Sequence, residues 1–324
     1  MKRDVAINYA KRLHKKYSLT IPVNLEMIAN EYADLRYMSI PFDIDGISVN
    51  LKKPGVRPTI IVNQDRPKKR QRFTLAHEIG HVLIPWHMGT IFDITDTSAS
   101  HALDYWDMES EANAFATELL MPSSWIQDIV KDASDIAKIN EEIMNQANVS
   151  AIAASIRLRS YLPPGYVFIF VNSDETVTYS GRTDGTHVDA VAVGEHFDIK
   201  ENYPYADCSY DFETSWERCI WIKMQDAIPL PSIEYRPWRD VLQEILEDAS
   251  DDAAERKRLM QQLNGVLGYA NSAVKRGEYC EETLFSACMQ RISSKPHLNT
   301  IINHSLFPEF LTSKINDLVS KSKH

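Results

Sequence analysis

Three observations predict an α+β protein built from several parts. Segments with helical periodicity occupy both ends of the chain, strand-like runs occur in two separate places, and a His-Glu-x-x-His motif lies within a helical segment. The length of 324 residues exceeds what one compact core usually holds, so we expect more than one domain. The predicted parts are an α+β domain, a helical segment, a β-rich module and a helical C-terminal region, at residues 1–125, 126–162, 163–236 and 237–324.

The predicted first domain combines helices with a pair of strands. Apolar residues at helical spacing predict four helices, the last of which is stopped by Pro122. Strand-like runs at 46–50 and 59–63 flank a Pro-Gly turn signal at 54–55, and this pattern predicts an antiparallel pair. The stretch 91–104 is expected to be a loop. The predicted helices cover residues 3–17, 24–32, 66–84 and 107–121.

The later parts of the chain change character twice. Residues 124–161 add one or two helices, and a Pro-Pro-Gly run at 163–165 then marks a boundary. Strand-like runs predict a small β-rich module with few helices, and from Pro237 onward the pattern is helical again. The predicted strands of the module are 166–171, 176–180, 188–193 and 219–224.

Charge and composition exclude several classes of protein. The formal charge is −10, from 45 acidic and 35 basic residues, so a general affinity for nucleic-acid phosphates is not expected. No segment resembles a signal peptide or a membrane span, so we expect a cytoplasmic protein without membrane contact. The four cysteines form no CxxC pair, and free thiols are expected.

The motif at residues 77–81 predicts a catalytic zinc site. His77 and His81 are one helical turn apart, so both imidazoles can reach one ion. Zinc accepts histidine nitrogens and keeps a position open for water in catalytic sites. Glu78 flanks the metal and can act as general base, taking a proton from water and delivering one to a leaving amine. The motif therefore predicts one zinc ion per chain and peptide-bond hydrolysis.

A carboxylate downstream is expected to supply the third ligand. Glu111 precedes Phe115 by one turn and borders the apolar face of the predicted helix, where a carboxylate needs a partner such as zinc. Glu109 is an alternative, although the helical pattern rotates it away from that apolar face. We therefore predict Glu111 as the third ligand.

A histidine is the other alternative for the third ligand. His87 stands ten residues after His77, which is the spacing found in metzincins. That arrangement needs a glycine to turn the chain, and Ile84 occupies the corresponding position. His101 has no spacing argument and is expected to be a loop histidine.

A peptidase site needs two further features. The oxyanion requires a donor besides the metal, and Tyr105, His101 and Arg72 are candidates that the sequence does not separate. An extended substrate needs a strand to pair with, and the hydrophobic run 59–63 just before the site helix is a candidate.

Two separated motifs resemble the ImmA/IrrE family of metallopeptidases. They are the runs RQRFTLAHEIGHVL and EANAFATELLMP, preceded by the strand TIIVN, and the resemblance covers roughly residues 5–125. It implies a zincin-like, thermolysin-type domain in which two histidines and a downstream glutamate hold zinc. On this sequence those residues are His77, His81 and Glu111, with Glu78 as general base.

The resemblance also implies a partner. Members of the family are typically endopeptidases that cleave a helix-turn-helix repressor, so we expect site-specific cleavage of such a regulator in a stress, mobile-element, toxin-antitoxin or defence response. Residues 147–158 resemble the small helical module that follows the peptidase region, and we expect packing on the catalytic domain rather than a DNA-binding helix-turn-helix. The β-rich part resembles the sensor-like module of some members.

One competing function belongs to another class. The chain could be a non-enzymatic regulator with structural zinc that binds DNA or a repressor. Glu78 argues against this alternative, because a structural site does not need a general base. Structural zinc sites also usually close all four positions with protein ligands, whereas three good candidates are present here.

Overall fold

The computed structural model describes residues 2–94, 103–131, 134–233, 236–275 and 279–322. The chain divides into two compact units, Met1–Tyr161 and Leu162–His324. Each unit contains helices and one four-stranded sheet, which confirms the predicted mixture of helix and sheet. The finer division into four parts stays a prediction. Its first two parts fall in the first unit and its last two in the second, apart from residue 162.

The sheet of the first unit consists of β1 (Asp34–Met38), β2 (Ile44–Leu51), β3 (Thr59–Asn63) and β4 (Gly89–Ile94). The strand order is β1-β3-β2-β4. Strand β3 is parallel to β1 and antiparallel to β2, and β2 is antiparallel to β4. The predicted antiparallel pair of β2 and β3 is confirmed.

The position of β3 overturns one expectation. Both edges of β3 are hydrogen-bonded to neighbouring strands, so the run 59–63 has no backbone groups left to pair with a substrate. The hydrophobic character of this strand instead reflects its central place in the sheet, where Ile60 and Val62 are buried.

Strands β1 and β4 are not predicted by the sequence. Four of the five residues of β1 are exposed, and Leu35 is partly buried. The strand therefore lacks the alternation of apolar and polar residues that identifies a half-buried strand. Strand β4 includes residues 91–94 of the expected loop, which corrects that prediction. Its pairing with β2 contains register shifts, so the neighbouring strand defines β4 more than its own pattern does.

The described residues of the first unit form seven helices. The predicted helices are confirmed, although the last begins four residues earlier than expected, at Leu103. The helices are α1 (Lys2–Tyr17), α2 (Leu25–Tyr32), α3 (Lys68–Leu83), α4 (Leu103–Leu120), α5 (Ser123–Val130), α6 (Ile136–Ala147) and α7 (Ala151–Leu158), followed by a 3₁₀ turn at Arg159–Tyr161.

Helix α3 lies in the core rather than on the surface. Every residue from 74 to 82 is buried, because β2 and β3 cover one side of the helix and α2 and α4 cover others. Gly80 permits the close approach of α4, since a Cβ atom at this position would lie 3.0 Å from Cδ1 of Phe115. A polar side chain on this helix is therefore desolvated and needs a partner.

Helices α6 and α7 form a closely connected pair. Asn148 ends α6 in the left-handed conformation with φ 53°, and the Ser150 side chain accepts a hydrogen bond from the Ala153 backbone to begin α7. Arg157, the basic residue of α7, donates to Glu118 of α4 at 2.6 Å. This ion pair fastens α7 to the helix that follows the metal-binding motif.

The sheet of the second unit is antiparallel throughout, in the order β6-β5-β8-β7. Its strands are β5 (Tyr166–Val171), β6 (Val177–Arg182), β7 (Ala206–Glu213) and β8 (Arg218–Met224). Three of the four predicted strands are confirmed as β5, β6 and β8. Strand β7 is an edge strand in which exposed polar residues alternate with less exposed ones, a strand signal that the prediction did not use.

The predicted strand at 188–193 is wrong. Val188 is buried, but its carbonyl accepts a hydrogen bond from the Arg182 side chain, and the Val191 carbonyl accepts one from Ser180 Oγ at 2.6 Å. Side chains of β6 thus satisfy the backbone here in place of a neighbouring strand. Apolar composition indicated burial correctly at Val188 and Val191 but not at Val193, which is 65% exposed, and it indicated the wrong conformation.

The second unit ends in the predicted helical region. A core of apolar side chains from these helices includes Leu263, Leu284, Phe307 and Phe310, while a separate cluster covers one face of the sheet. In the described part of the chain, no helix has both the length and the apolar character needed to cross a membrane. One short helix, α8 (Ile199–Asn202), lies among the strands. The helices of the C-terminal region are α9 (Trp238–Ala249), α10 (Ala253–Val274), α11 (Glu281–Ser293), α12 (Asn299–Ile302) and α13 (Phe307–Ser322), with a 3₁₀ turn at Pro296–Leu298.

An ion cluster of the second unit is centred on Asp189. Its Oδ1 atom lies 2.6 Å from Arg291 Nη1 and 3.1 Å from Arg182 Nη1, and Oδ2 contacts the Lys295 ammonium. The Asp189 backbone carbonyl accepts a hydrogen bond from the Tyr203 hydroxyl at 2.9 Å. One carboxylate therefore joins β6 to α11 and the turn that follows it.

Candidate metal centre

Helix α3 brings two imidazoles together, as the motif predicts. The Nε2 atoms of His77 and His81 are 2.9 Å apart, and the ring centroids are 4.6 Å apart. Both residues are buried, with exposed fractions of 1% and 0%. Burial lowers the pKa of His81 to about 3, so its imidazole is neutral near pH 7.

Helix α4 adds a carboxylate to the pair. One oxygen of Glu109 is 3.1 Å from His77 Nε2, and the other is 3.4 Å from His81 Nε2. Burial by itself raises the pKa of Glu109, but hydrogen bonding with His77 and His81 outweighs it and lowers the pKa to about 2. The carboxylate is therefore ionised beside the two imidazoles.

This set of atoms fits a metal ion. Among the described residues, the ligand atoms of His77, His81 and Glu109 all lie within 4.8 Å of one another. Neutral imidazole nitrogens and carboxylate oxygens are acceptors, and a cation is the species that satisfies several of them at one point. Two histidines and one glutamate also form a known donor set of catalytic zinc.

Glu111, the predicted third ligand, lies elsewhere. Its Oε2 atom is 3.1 Å from His87 Nε2 and accepts a hydrogen bond from the Trp86 indole at 2.5 Å. The assignment of Glu111 as a ligand stays a prediction, and the side-chain positions favour Glu109. His87, the other alternative, contacts Glu111 and His81 and does not join the group of three.

The sequence contains a signal for Glu109 that the apolar-face argument did not use. Glu109 precedes Ala112 by three residues and Ala116 by seven, so it lies on the same helical face as these buried residues. The expectation that Glu109 points away from the core is wrong, since it is only 9% exposed. Both carboxylates, Glu109 and Glu111, are buried, and their different partners distinguish them.

The outer nitrogen of each imidazole has its own partner. His77 Nδ1 lies 3.0 Å from Oδ1 of Asn113 on α4, and His81 Nδ1 lies 2.8 Å from Nδ1 of His87. Such contacts fix the orientation of a ligand ring and leave the other nitrogen directed at the metal. Asn113 is a functional candidate that the motif did not indicate. His87 is another, which the sequence offered as a third metal ligand and not as a partner of His81.

Glu78 lies against strand β2. It is fully buried, and Ser48 Oγ donates a hydrogen bond to its Oε2 atom. Gly46 leaves space for the same carboxylate, because a Cβ atom there would lie 2.6 Å from Glu78 Oε1 and 2.5 Å from Cγ2 of Thr74. A glycine within a strand often marks such a close approach, so Gly46 was a signal in the sequence.

The C-terminal end of α3 is held by Lys52. Its ammonium donates to the backbone carbonyls of His81, at 3.0 Å, and Val82. These are carbonyls that a helix end leaves without intrahelical partners, and a cation there also complements the helix dipole. Burial lowers the pKa of Lys52 to about 8.

The three candidates for an oxyanion donor receive no support. Arg72 donates to the backbone carbonyls of Val23, at 2.8 Å, and Ala147, at 3.3 Å, so it joins α3 to neighbouring segments. His101 lies outside the described residues, and Tyr105 lies in α4 with a side chain that is not among those described.

Fold and site together define a class of protein: a mixed α+β protein with the donor set and adjacent glutamate of a metal-dependent hydrolase. Residues 21–159 match the model of the IrrE N-terminal-like domain. This match, together with two relatives named as metalloproteases, confirms the resemblance to the ImmA/IrrE family drawn from the two motifs.

Two relatives carry the name radiation response metalloprotease IrrE. The protein from Deinococcus deserti is 29% identical over 213 residues, which cover 62% of this chain and 72% of the relative. The protein from Deinococcus radiodurans is 30% identical over 109 residues, which cover 34% of this chain and 33% of the relative.

Proposed function

We propose that this protein is a zinc-dependent endopeptidase with a zincin-like first domain. Its zinc ligands are His77, His81 and Glu109, and Glu78 is its general base. The observation that carries the proposal is the convergence of two imidazoles and one carboxylate within 4.8 Å of one another, with Glu78 on the same helix as the two histidines. The similarity of residues 21–159 to the IrrE N-terminal-like domain, and of the chain to two proteins named as metalloproteases, supports it.

The chemistry divides between the metal and the protein. Bound zinc would supply Lewis acidity, which favours deprotonation of water near neutral pH and polarises the scissile carbonyl. Glu78 accepts the proton of the attacking water and later delivers a proton to the leaving amine. Ser48 holds one oxygen of Glu78, and the absence of a side chain at Gly46 leaves space for the other. This hydrogen bond and this space together orient the Glu78 carboxylate.

We propose a regulatory protein of the helix-turn-helix repressor type as the substrate. The names of the two relatives, which describe radiation-response metalloproteases, support a role in a stress response. Within the described residues no disulfide joins the four cysteines, which supports a reducing compartment such as the cytoplasm. Direct DNA binding by α7 is not favoured, because its basic residue Arg157 is engaged by Glu118.

The test compares cells that express the wild type with cells that express Glu78→Gln. Mass spectrometry of newly formed protein amino termini, at rest and under DNA-damaging stress, identifies cleavage products. The Gln variant keeps the size and hydrogen-bonding capacity of Glu78 but cannot take a proton from water. We expect termini that occur only with the wild type, and they name the substrate and the cleaved bond.

Zinc content is the matched control. Glu78→Gln should bind zinc as the wild type does, because Glu78 is outside the group of three ligands. Identical sets of termini in the two strains, with zinc bound in both, would contradict proteolysis. The remaining function would then be a zinc-containing regulator that acts by binding DNA or a repressor.

A further inference from the structure

A chain of three buried side chains leads away from the metal centre. His81 Nδ1 lies 2.8 Å from His87 Nδ1, and His87 Nε2 lies 3.1 Å from Glu111 Oε2. The exposed fractions of His81, His87 and Glu111 are 0%, 0% and 3%. Trp86 closes the chain, because its indole N–H donates to the same oxygen of Glu111 at 2.5 Å.

The hydrogen-bonding capacity of these groups fixes the proton positions. An indole N–H can only donate, so Oε2 of Glu111 acts as an acceptor. His87 therefore donates through Nε2–H, and in the neutral ring its Nδ1 atom is then an acceptor. A contact between two nitrogens needs one donor, so the proton between the rings belongs to His81 Nδ1. His81 Nε2 then carries a lone pair and faces His77 and Glu109.

We propose that Glu111 and His87 are positioning residues that set the tautomer of His81 and so keep its Nε2 atom available to zinc. The proposal rests on the proposed zinc site of His77, His81 and Glu109. It gives Glu111 a role as hydrogen-bond acceptor for His87 and not as a metal ligand. Partners of this kind orient ligand histidines in metalloenzymes, and their loss typically weakens metal binding about 10- to 100-fold.

The experiment measures zinc affinity of the full chain by competition with a chelator. Glu111→Met removes the acceptor and keeps the size of the side chain. His87 then has no acceptor for its Nε2–H, so both tautomers of the His81–His87 pair become accessible. Because one of them places the proton on Nε2 of His81, we expect zinc affinity to fall about 10- to 100-fold. Glu111→Gln keeps an amide oxygen that can accept from His87, so this variant should bind zinc within about threefold of the wild type.

Trp86→Phe is the matched control for the pocket. It removes one donor to Glu111 and leaves the Glu111–His87 and His87–His81 contacts in place, so zinc affinity should not change. A Gln variant that loses as much affinity as the Met variant would overturn the proposal, since only the charge or direct ligation by Glu111 would explain it. Unchanged zinc affinity in Glu111→Met would overturn it as well.

A double-mutant cycle separates action through His87 from direct action on the metal. In a His87→Phe background, Glu111→Met should cause no further loss of zinc affinity, because the connection to His81 is already broken. Equal losses in both backgrounds would overturn the proposal. If Glu111→Met alone does not fold, Glu111→Gln in the two backgrounds still discriminates, since direct ligation predicts a large loss in both.

The tautomers can also be observed directly. Nitrogen-15 NMR of the histidine side chains in the zinc-bound protein should show His81 protonated at Nδ1 and His87 protonated at Nε2. His87 protonated at Nδ1 would contradict the proposal. Neither zinc affinity nor tautomer depends on a substrate, so these measurements can fail while the cleavage assay with Glu78→Gln succeeds, and the reverse.

Discussion

Two charged clusters of this protein have opposite compositions. In the first unit, acceptor atoms of His77, His81 and Glu109 converge at one point. In the second unit, three cationic side chains converge on the single carboxylate of Asp189. In the second cluster each cation already lies beside a carboxylate, whereas the acceptors of the first cluster gain most from a cation supplied from outside. The comparison shows that converging acceptors indicate a binding site, while cations that share a carboxylate have a structural role.

Burial sharpens the contrast between the clusters. The side chains of His77 and His81 are 1% and 0% exposed, while that of Asp189 is 27% exposed. Burying acceptors without donors costs free energy that only a ligand or a proton recovers, and such costs are typical of functional sites. The free energy of desolvation is smaller for an ion cluster near solvent, so such a cluster can have a purely structural role.

The largest effect is expected from Glu109→Gln. Removing the one formal negative charge among the three acceptors should lower zinc affinity more than about 100-fold, since loss of a partner outside the ligand shell already costs about 10- to 100-fold. Chelator competition on the full chain measures this. Asp189→Asn, which removes the same charge from the other cluster, is the control and should leave zinc affinity unchanged. If Glu109→Gln bound zinc as tightly as the wild type, another residue such as Glu111 would be the third ligand.

A smaller effect is expected from Gly46→Ala, which leaves the acceptors intact and displaces the base. The new Cβ atom would lie 2.6 Å from Oε1 of Glu78, so this carboxylate must move. Displacement by about 1 Å can cost up to about 100-fold in rate. The rate at which cleavage products form should fall roughly 10- to 100-fold, with zinc still bound.

The control for this substitution is a glycine in open space. A Cβ atom at Gly268 of helix α10 would have no neighbour within 4 Å, so Gly268→Ala should leave the rate of cleavage unchanged. A wild-type rate in Gly46→Ala would mean that the position of Glu78 against β2 does not matter for the reaction.

The smallest effect is expected from Asp189→Asn on stability. Three cations lose their counter-charge, and the free energy of unfolding of the second unit should fall by about 1–3 kcal/mol. Hydrogen exchange of peptides from residues 162–324 measures the change in the full chain. Undiminished protection there would mean that solvent and the remaining hydrogen bonds hold these cations as well as the carboxylate does.

The sequence predicted the elements that carry their own signal. Strands β2, β3, β5 and β8 each lie between two neighbouring strands and carry buried apolar residues, and this composition is visible in the sequence. Edge strand β1 was missed because four of its five residues are exposed, and β7 was missed although exposed and less exposed residues alternate along it. The false strand at 188–193 has the opposite cause, since buried valines there are held by side chains of another strand.

The site divides in the same way. His77, Glu78 and His81 were predictable because they share one helix, where spacing alone determines which side chains lie together. The third acceptor comes from a second helix, and the choice between Glu109 and Glu111 depends on how the two helices pack. Ser48 and Asn113 orient the motif from other elements, and nothing in the motif itself indicates them.

The contact between Gly80 and Phe115 has a consequence for sequence variation. Gly80 occupies one of the two positions that the His-Glu-x-x-His pattern leaves open, yet a methyl group there would already press on the Phe115 ring. A library of substitutions should therefore tolerate alanine at position 80 only together with a smaller side chain at position 115. In this fold, the spacing of two helices constrains the residue at position 80, although the His-Glu-x-x-His pattern leaves that position open.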